Sequence, residues 1–286
     1  MPGFYKSEAA RKQIMDLYDL KLASLDIKYT NLDIPTRFGR TRVIRTGDPA
    51  NRPLVIFHGI HAGAPLTLEA IKELNDSLCL YAIDTVGQAT KSEATKLNIN
   101  GPDFGLWADE VFEAFPFDQA DVIGVSYGGF IAQKLMVHHP ERINRCVFVV
   151  PAGLANGDFG TSMRQLSWPL MRYILTKKDE HLAQFLSAFS GDDEHHFQFQ
   201  KALLTGVKMD YRRPGILKAK DVTGFDRPVY LIVAGQDVFF PADRSIQKAK
   251  QVFASLKAVH ILDGSKHMPG PDDFPVIQSL IRSWLT

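Results

Sequence analysis

Residues 120–138 read ADVIGVSYGGFIAQKLMVH, and the junction inside them decides the fold. Asp121 to Ser126 encloses the apolar run Val-Ile-Gly-Val, as expected of a strand covered on both faces. Tyr127 to His138 reads as a helix. Between them, Gly124-Val125-Ser126-Tyr127-Gly128 matches G-x-S-x-G. A strand turning this sharply into a helix strains the serine backbone, and only residues without Cβ fit on either side of it. Such a turn lifts the Ser126 hydroxyl clear of the sheet at a helix N-terminus. Ser126 is therefore the candidate nucleophile.

Outward from this junction the same alternation repeats. Towards the N-terminus, Pro53 to His58 and Cys79 to Asp84 are two more short apolar strands, and Leu66 to Leu74 and Asp103 to Phe115 have helical spacing. Ahead of them, Ser7 to Leu25 predicts a helix with Ile14, Leu17, Tyr18 and Leu22 on one face. Ile27 to Ile34 and Arg40 to Thr46 predict a hairpin about Phe38-Gly39. Towards the C-terminus, Arg145 to Pro151, Pro228 to Ala234 and Ala258 to Asp263 predict strands. Arg244 to Phe253 and Phe274 to Leu285 predict helices. Strands alternating with helices imply a mostly parallel sheet covered on both faces, an α/β fold. The alternation stops between 154 and 222, where helical stretches rich in large side chains replace it. The expected organisation is a core over 1–153, an inserted helical lid over 154–222, and a second core part over 223–286.

A serine hydroxyl is a weak nucleophile at neutral pH and needs an adjacent base. Of nine histidines, His267 follows the last strand in Gly264-Ser265-Lys266-His267-Met268, at the carboxyl edge of the sheet where open α/β sheets build their sites. Asp237 follows the preceding strand at the same edge. A carboxylate there accepts the second ring N–H of His267, fixing its tautomer and stabilising the imidazolium. A turn-forming role for Asp237 is the plainer alternative. Asp84 also ends a strand and is the reserve acid. Acyl transfer further calls for two N–H donors aimed at the developing oxyanion. The backbone N–H of Tyr127 and that of Ile60, in the loop His58-Gly59-Ile60-His61, are the candidates.

The chain resembles the α/β-hydrolase superfamily over nearly its whole length. The matching pieces are FHG at 57–59, the Asp84-to-Ser92 segment, GVSYGG at 124–129, HPERI at 139–143, DVFFP at 237–241 and SKH at 265–267. The subgroup is similar to lidded carboxylesterases. The resemblance implies an eight-stranded sheet with the triad Ser126, Asp237 and His267. It also implies two-step hydrolysis of carboxylic esters of small, largely apolar molecules, without cofactor or metal. The same triad acting on a C–C, thioester, amide or lactone bond is the alternative, and a non-catalytic ligand receptor on this fold is another. The chain departs from the family at Ala234, where many relatives carry Gly, and at Gln88-Ala89, where a second glycine is usual. The second departure touches the expected pocket wall. His61, Trp168, Met171, Phe185, Phe189, Phe239 and Met268 are the expected pocket residues.

The 286 residues carry a formal net charge of +1, which provides no field for nucleic acid or an anionic membrane surface. No run of 18 apolar residues suggests a membrane span, and the N-terminus lacks an apolar stretch of signal-peptide length. Cys79 and Cys146 read as core thiols. A cytoplasmic protein acting on a small molecule is expected, and the sequence does not indicate an oligomeric state. Asp192-Asp193-Glu194-His195-His196 reads as a solvated loop rather than a metal cluster.

Overall fold

The computed structural model describes residues 4–210 and 212–285. Eight strands form one sheet: β1 (Tyr29–Thr36), β2 (Gly39–Thr46), β3 (Arg52–Phe57), β4 (Leu78–Ile83), β5 (Ala120–Val125), β6 (Ile143–Val149), β7 (Val229–Ala234) and β8 (Leu256–Leu262). Their order is β1-β2-β4-β3-β5-β6-β7-β8. β1, β2 and β4 pair antiparallel, and every pairing from β4 through β3 to β8 is parallel. β3 lies between β4 and β5, so the chain winds outward in both directions from it. A crevice opens at the carboxyl ends of strands at such a reversal.

The apolar runs are continuous because both sheet faces are covered. Along β3, Val55 and Phe57 enter one buried cluster while Leu54 and Ile56 enter the other. β4 divides likewise, with Cys79, Tyr81 and Ile83 on one side and Leu78, Leu80 and Ala82 on the other. The first cluster is completed by α3 (Asp103–Glu113), α4 (Tyr127–His138) and α9 (Ala242–Val252). The second is completed by α1 (Glu8–Ser24), α2 (Gly63–Ile71) and α10 (Phe274–Leu285). The helix expected over 66–74 begins earlier, at Gly63, and its last turn tightens into a 3₁₀ segment, Lys72–Asp76. Ser7 caps α1 by accepting the Ala10 N–H.

Between β6 and β7 lie α5 (Phe159–Ser162), a π turn (Met163–Ser167), α6 (Trp168–Thr176), α7 (Asp179–Ser187) and α8 (Glu194–Gly206). Leu166, Tyr173, Leu182, Leu186 and Phe189 form a separate apolar cluster within this insert. α8 packs instead on α1, joining Ile14 to Phe199, Ala202 and Leu203. The acidic-histidine stretch expected as a solvated loop is a helix start. Asp193 caps α8 through the His196 N–H (2.6 Å), and the His196 ring is buried. Capping and burial against α1 outweigh the polar composition that suggested a loop. Tyr5 forms a bridge with Val207, and the Lys6 N–H donates to Gly206 O, tying the N-terminal segment to the end of α8.

Candidate active site

The turn between β5 and α4 has the strain its sequence implies. Ser126 sits at φ 49°, ψ −115°, a conformation that costs a non-glycine residue about 1–3 kcal/mol. Its backbone groups are held from β6 onward. The Ser126 N–H donates to Val149 O (2.9 Å), and the Ser126 carbonyl accepts the Ala152 N–H (2.9 Å) and the Gly129 N–H (2.8 Å). The flanking glycines are required by close approach. A Cβ on Gly128 would lie 2.0 Å from Phe57 O, and one on Gly124 would lie 2.7 Å from Gly128 O. The end of β3 thus presses directly against the start of α4.

Two loops bring the other side chains to Ser126. Ser126 Oγ lies 2.9 Å from His267 Nε2, and His267 Nδ1 lies 2.7 Å from Asp237 Oδ2. Because the carboxylate only accepts, Nδ1 carries the proton and Nε2 is left to accept the serine O–H. Asp237 Oδ1 accepts the backbone N–H groups of Phe239 (2.8 Å) and Phe240 (3.0 Å). The turn-forming reading of this aspartate and the partner reading are therefore both true, one oxygen for each. The rings of Phe239 and Phe240 meet the imidazole edge-on at 4.9 and 5.2 Å, and Asp237 and His267 are buried.

The loop carrying His267 is fastened to the insert, which the sequence did not signal. Lys266 Nζ donates to Ser187 O (2.7 Å) and Ser190 O (3.2 Å), and the Met268 N–H donates to Phe189 O (2.8 Å).

On the opposite side, Gly59 faces the nucleophile, and a Cβ there would be 3.5 Å from Ser126 Cβ. Among the described residues, neither the Ile60 N–H nor the Tyr127 N–H donates to a protein acceptor. His61 does not sit open to solvent. At φ 56° its N–H donates to Gln88 Oε1 (2.5 Å), its Nδ1 accepts the Ala89 N–H (3.2 Å), and Nε2 is buried without a partner. Burial pushes its pKa down to about 4, so the ring is neutral. Gln88 and Ala89, one of the two departures from the pattern the chain resembles, both brace the loop carrying Ile60. Asp84, the reserve acid, is far from this role. It accepts Tyr18 Oη–H (2.9 Å), the Ala64 N–H (2.8 Å) and the Lys91 N–H (3.0 Å), pinning α1 and α2 to the sheet. Burial raises its pKa.

Of the expected pocket residues, Phe189 belongs to the insert cluster, and Phe185, Phe239 and Met268 pack against it. Phe239 meets the Phe189 ring at 5.2 Å and so links that cluster to His267. Trp168 and Met171 lie outside the cluster at the surface, 54% and 46% exposed. The structure holds the inner helices against the histidine loop and leaves these two side chains about half exposed.

Comparison with known proteins agrees with this architecture. A family model described as the alpha/beta hydrolase fold matches residues 52–172. An uncharacterized carboxylesterase, Nap, of Bacillus subtilis (strain 168) is 27% identical over 135 residues, 47% of this chain and 45% of that protein. Carboxylesterase YbfK of the same organism is 28% identical over 135 residues, 47% of this chain and 46% of its own length. The chain thus spans about half the length of the curated relatives it matches. The crystal structure of naproxen esterase (carboxylesterase NP) from Bacillus subtilis superposes with a TM-score of 0.82 at 18% identity, covering 96% of this chain and 98% of that one. Sheet order, strained serine turn and superposition together show that the chain has the α/β-hydrolase fold, and over about half its length it is similar to carboxylesterases.

Proposed function

We propose that the chain is a serine hydrolase that cleaves carboxylic esters of small, largely apolar molecules through an acyl-enzyme. The observation that carries this reading is the unbroken line from Ser126 Oγ to His267 Nε2 (2.9 Å) and from Nδ1 to Asp237 (2.7 Å). Ser126 attacks the ester carbonyl while His267 takes its proton, and Asp237 stabilises the imidazolium. The N–H groups of Ile60 and Tyr127 hold the oxyanion. The C–O bond then breaks, and His267 returns the proton to the departing alkoxide. Water, deprotonated by the same ring, cleaves the acyl-enzyme and restores the Ser126 hydroxyl. The carboxylesterase relatives support the choice of ester. The strain at Ser126 and the unengaged N–H groups beside it support the roles of nucleophile and oxyanion donors.

In this reading, residues 154–222 form a lid over the site. Phe189 and Phe239 supply apolar walls for the substrate and exclude water from the imidazole. The substrate is a small molecule and every step uses groups the chain itself supplies. The unbridged, buried Cys79 and Cys146 fit action in a reducing compartment such as the cytoplasm.

The test is hydrolysis of a short p-nitrophenyl ester by the wild-type chain and by Ser126→Ala, with fluorophosphonate labelling of both. Turnover and one-to-one labelling are expected of the wild type, and a loss of about a thousandfold or more in the variant. A folded wild type that neither turns over nor labels would instead favour a receptor role. Parallel assays on thioester, lactone and amide substrates locate the preferred bond.

A further inference from the structure

Among the described residues, six of the eleven large apolar side chains that stand exposed lie between Phe159 and Leu175. Phe159 and Leu175 are 80% and 77% exposed, and Trp168 and Met171 are about half exposed. Trp168, Met171 and Leu175 recur at i, i+3 and i+7, so they form one stripe along α6, while Pro169 and Tyr173 on its other side are buried. The charge of the same segment is one-sided. From Phe159 to Lys178 there are twenty residues with four cations, Arg164, Arg172, Lys177 and Lys178, and no carboxylate. Among the described residues, Arg164, Arg172 and Lys177 form no ion pair: Arg172 reaches only Gln184, and Lys177 lies over the Tyr173 ring. Lys178 pairs with Glu180. The flanking acids are also engaged, Asp158 as the cap of α5 and Asp179 with Lys201.

We infer that α5 and α6 form a docking face for an anionic phospholipid surface. Large apolar side chains bordered by cations are the composition by which helices lie in the plane of a lipid interface. Local positive charge complements the negative surface potential of such a bilayer. A second copy of the chain fits this face less well. Two-fold pairing would bring each set of four cations against its own image, with no carboxylate in the segment to meet it. The contact is adsorption and not insertion, since no helix among the described residues is long and apolar enough to cross a membrane. The whole-chain charge of +1 conceals this face, because the carboxylates that balance it lie outside the segment.

The experiment is flotation of the full chain with vesicles of phosphatidylcholine alone and of phosphatidylcholine with about one third phosphatidylglycerol. Partitioning onto the anionic vesicles is expected to be at least about tenfold stronger, and to fall in 0.5 M salt as screening shortens the reach of the charges. Arg164→Gln with Arg172→Gln, and separately Phe159→Ser with Leu175→Ser, each lower it several-fold while leaving hydrolysis of a soluble short ester unchanged. Equal flotation with both vesicle types, or none with either, overturns the inference. So does sedimentation of the lipid-free chain as a dimer that Phe159→Ser with Leu175→Ser dissociates, since the face then belongs to a second copy. Binding needs no turnover and is read on Ser126→Ala as well, so it stands or falls apart from the assigned chemistry.

Discussion

In the sheet, Leu54, Val55, Ile56 and Phe57 are four consecutive apolar residues, and all four are fully buried. In the insert, Leu175 and Leu182 stand seven positions apart; the first is 77% exposed and the second fully buried. The same residue type has opposite fates because a central strand has a helical layer on each face, whereas the insert has a partner only beneath it. Apolar identity therefore predicts burial in the sheet, where both faces are committed, and does not in a layer that ends at solvent. Polar groups follow the same division. At the carboxyl ends of β5, β7 and β8 the strands leave polar side chains only one place to converge. The insert's polar residues instead spread into caps, carbonyl contacts and open surface.

The comparison breaks most visibly at the sheet edge if Asp237→Asn is benign. That variant keeps the turn bonds to Phe239 and Phe240 through its amide oxygen but favours the wrong imidazole tautomer. Turnover of a p-nitrophenyl ester is expected to drop about ten-thousandfold, with the unfolding midpoint little changed. Next in size is Gly128→Ala, whose added Cβ meets Phe57 O at 2.0 Å. A loss of about 3 kcal/mol or more in urea unfolding is expected, and a stability near wild type would show that the β3–α4 approach is loose.

The insert side is sharpened by pH. Burial pushes the pKa of His196 down to about 4, so this ring stays neutral in the folded chain while the unfolded chain takes up a proton below about 6.5. Stability contributed by the neutral ring is complete above 6.5 and is lost as the pH falls from 6.5 towards 4. His196→Phe should remove up to about 3 kcal/mol of that acid-induced loss, read as a flatter plot of unfolding free energy between pH 7 and 4. Parallel profiles for the two proteins would mean that His196 is solvated. The smallest effect belongs to the seam between the regions. Lys266→Ala removes two donations to carbonyls at the end of α7, at about 1 kcal/mol of stability. It should also lower kcat several-fold by loosening the loop that aims His267, and an unchanged kcat would make the fastening incidental.

The alternation of apolar strands and helices made the sheet readable, and G-x-S-x-G placed the strained serine because only glycine fits so close a backbone approach. Asp237 and His267 were legible from position alone, each just past a strand in the order Ser126, Asp237, His267. What the sequence hid depends on partners distant along the chain. Nothing local marks Lys266 as reaching Ser187, or Gln88 as receiving the N–H of His61. Asp192 to His196 looked solvated because its composition is polar, yet the burial of His196 depends on α8 packing against α1. The half-exposure of Trp168 and Met171 was likewise not legible, because apolar identity alone does not say whether a neighbour covers the side chain.

The fastening of the insert is uneven, and its two seams are made of different contacts. Gly157 N–H donates to Phe239 O (2.7 Å), tying the chain entering the insert to the turn of Asp237, and the end of α7 is tied to the loop of His267. Between these two anchors run α5 and α6, followed by Lys177 in a left-handed conformation at φ 58°. Leu166 and Tyr173 pack this outer stretch on Leu182, Leu186 and Phe189, so apolar contact holds it to the inner helices while hydrogen bonds hold those helices to the imidazole loop; cooling, which weakens apolar contact, loosens the outer seam before the inner one.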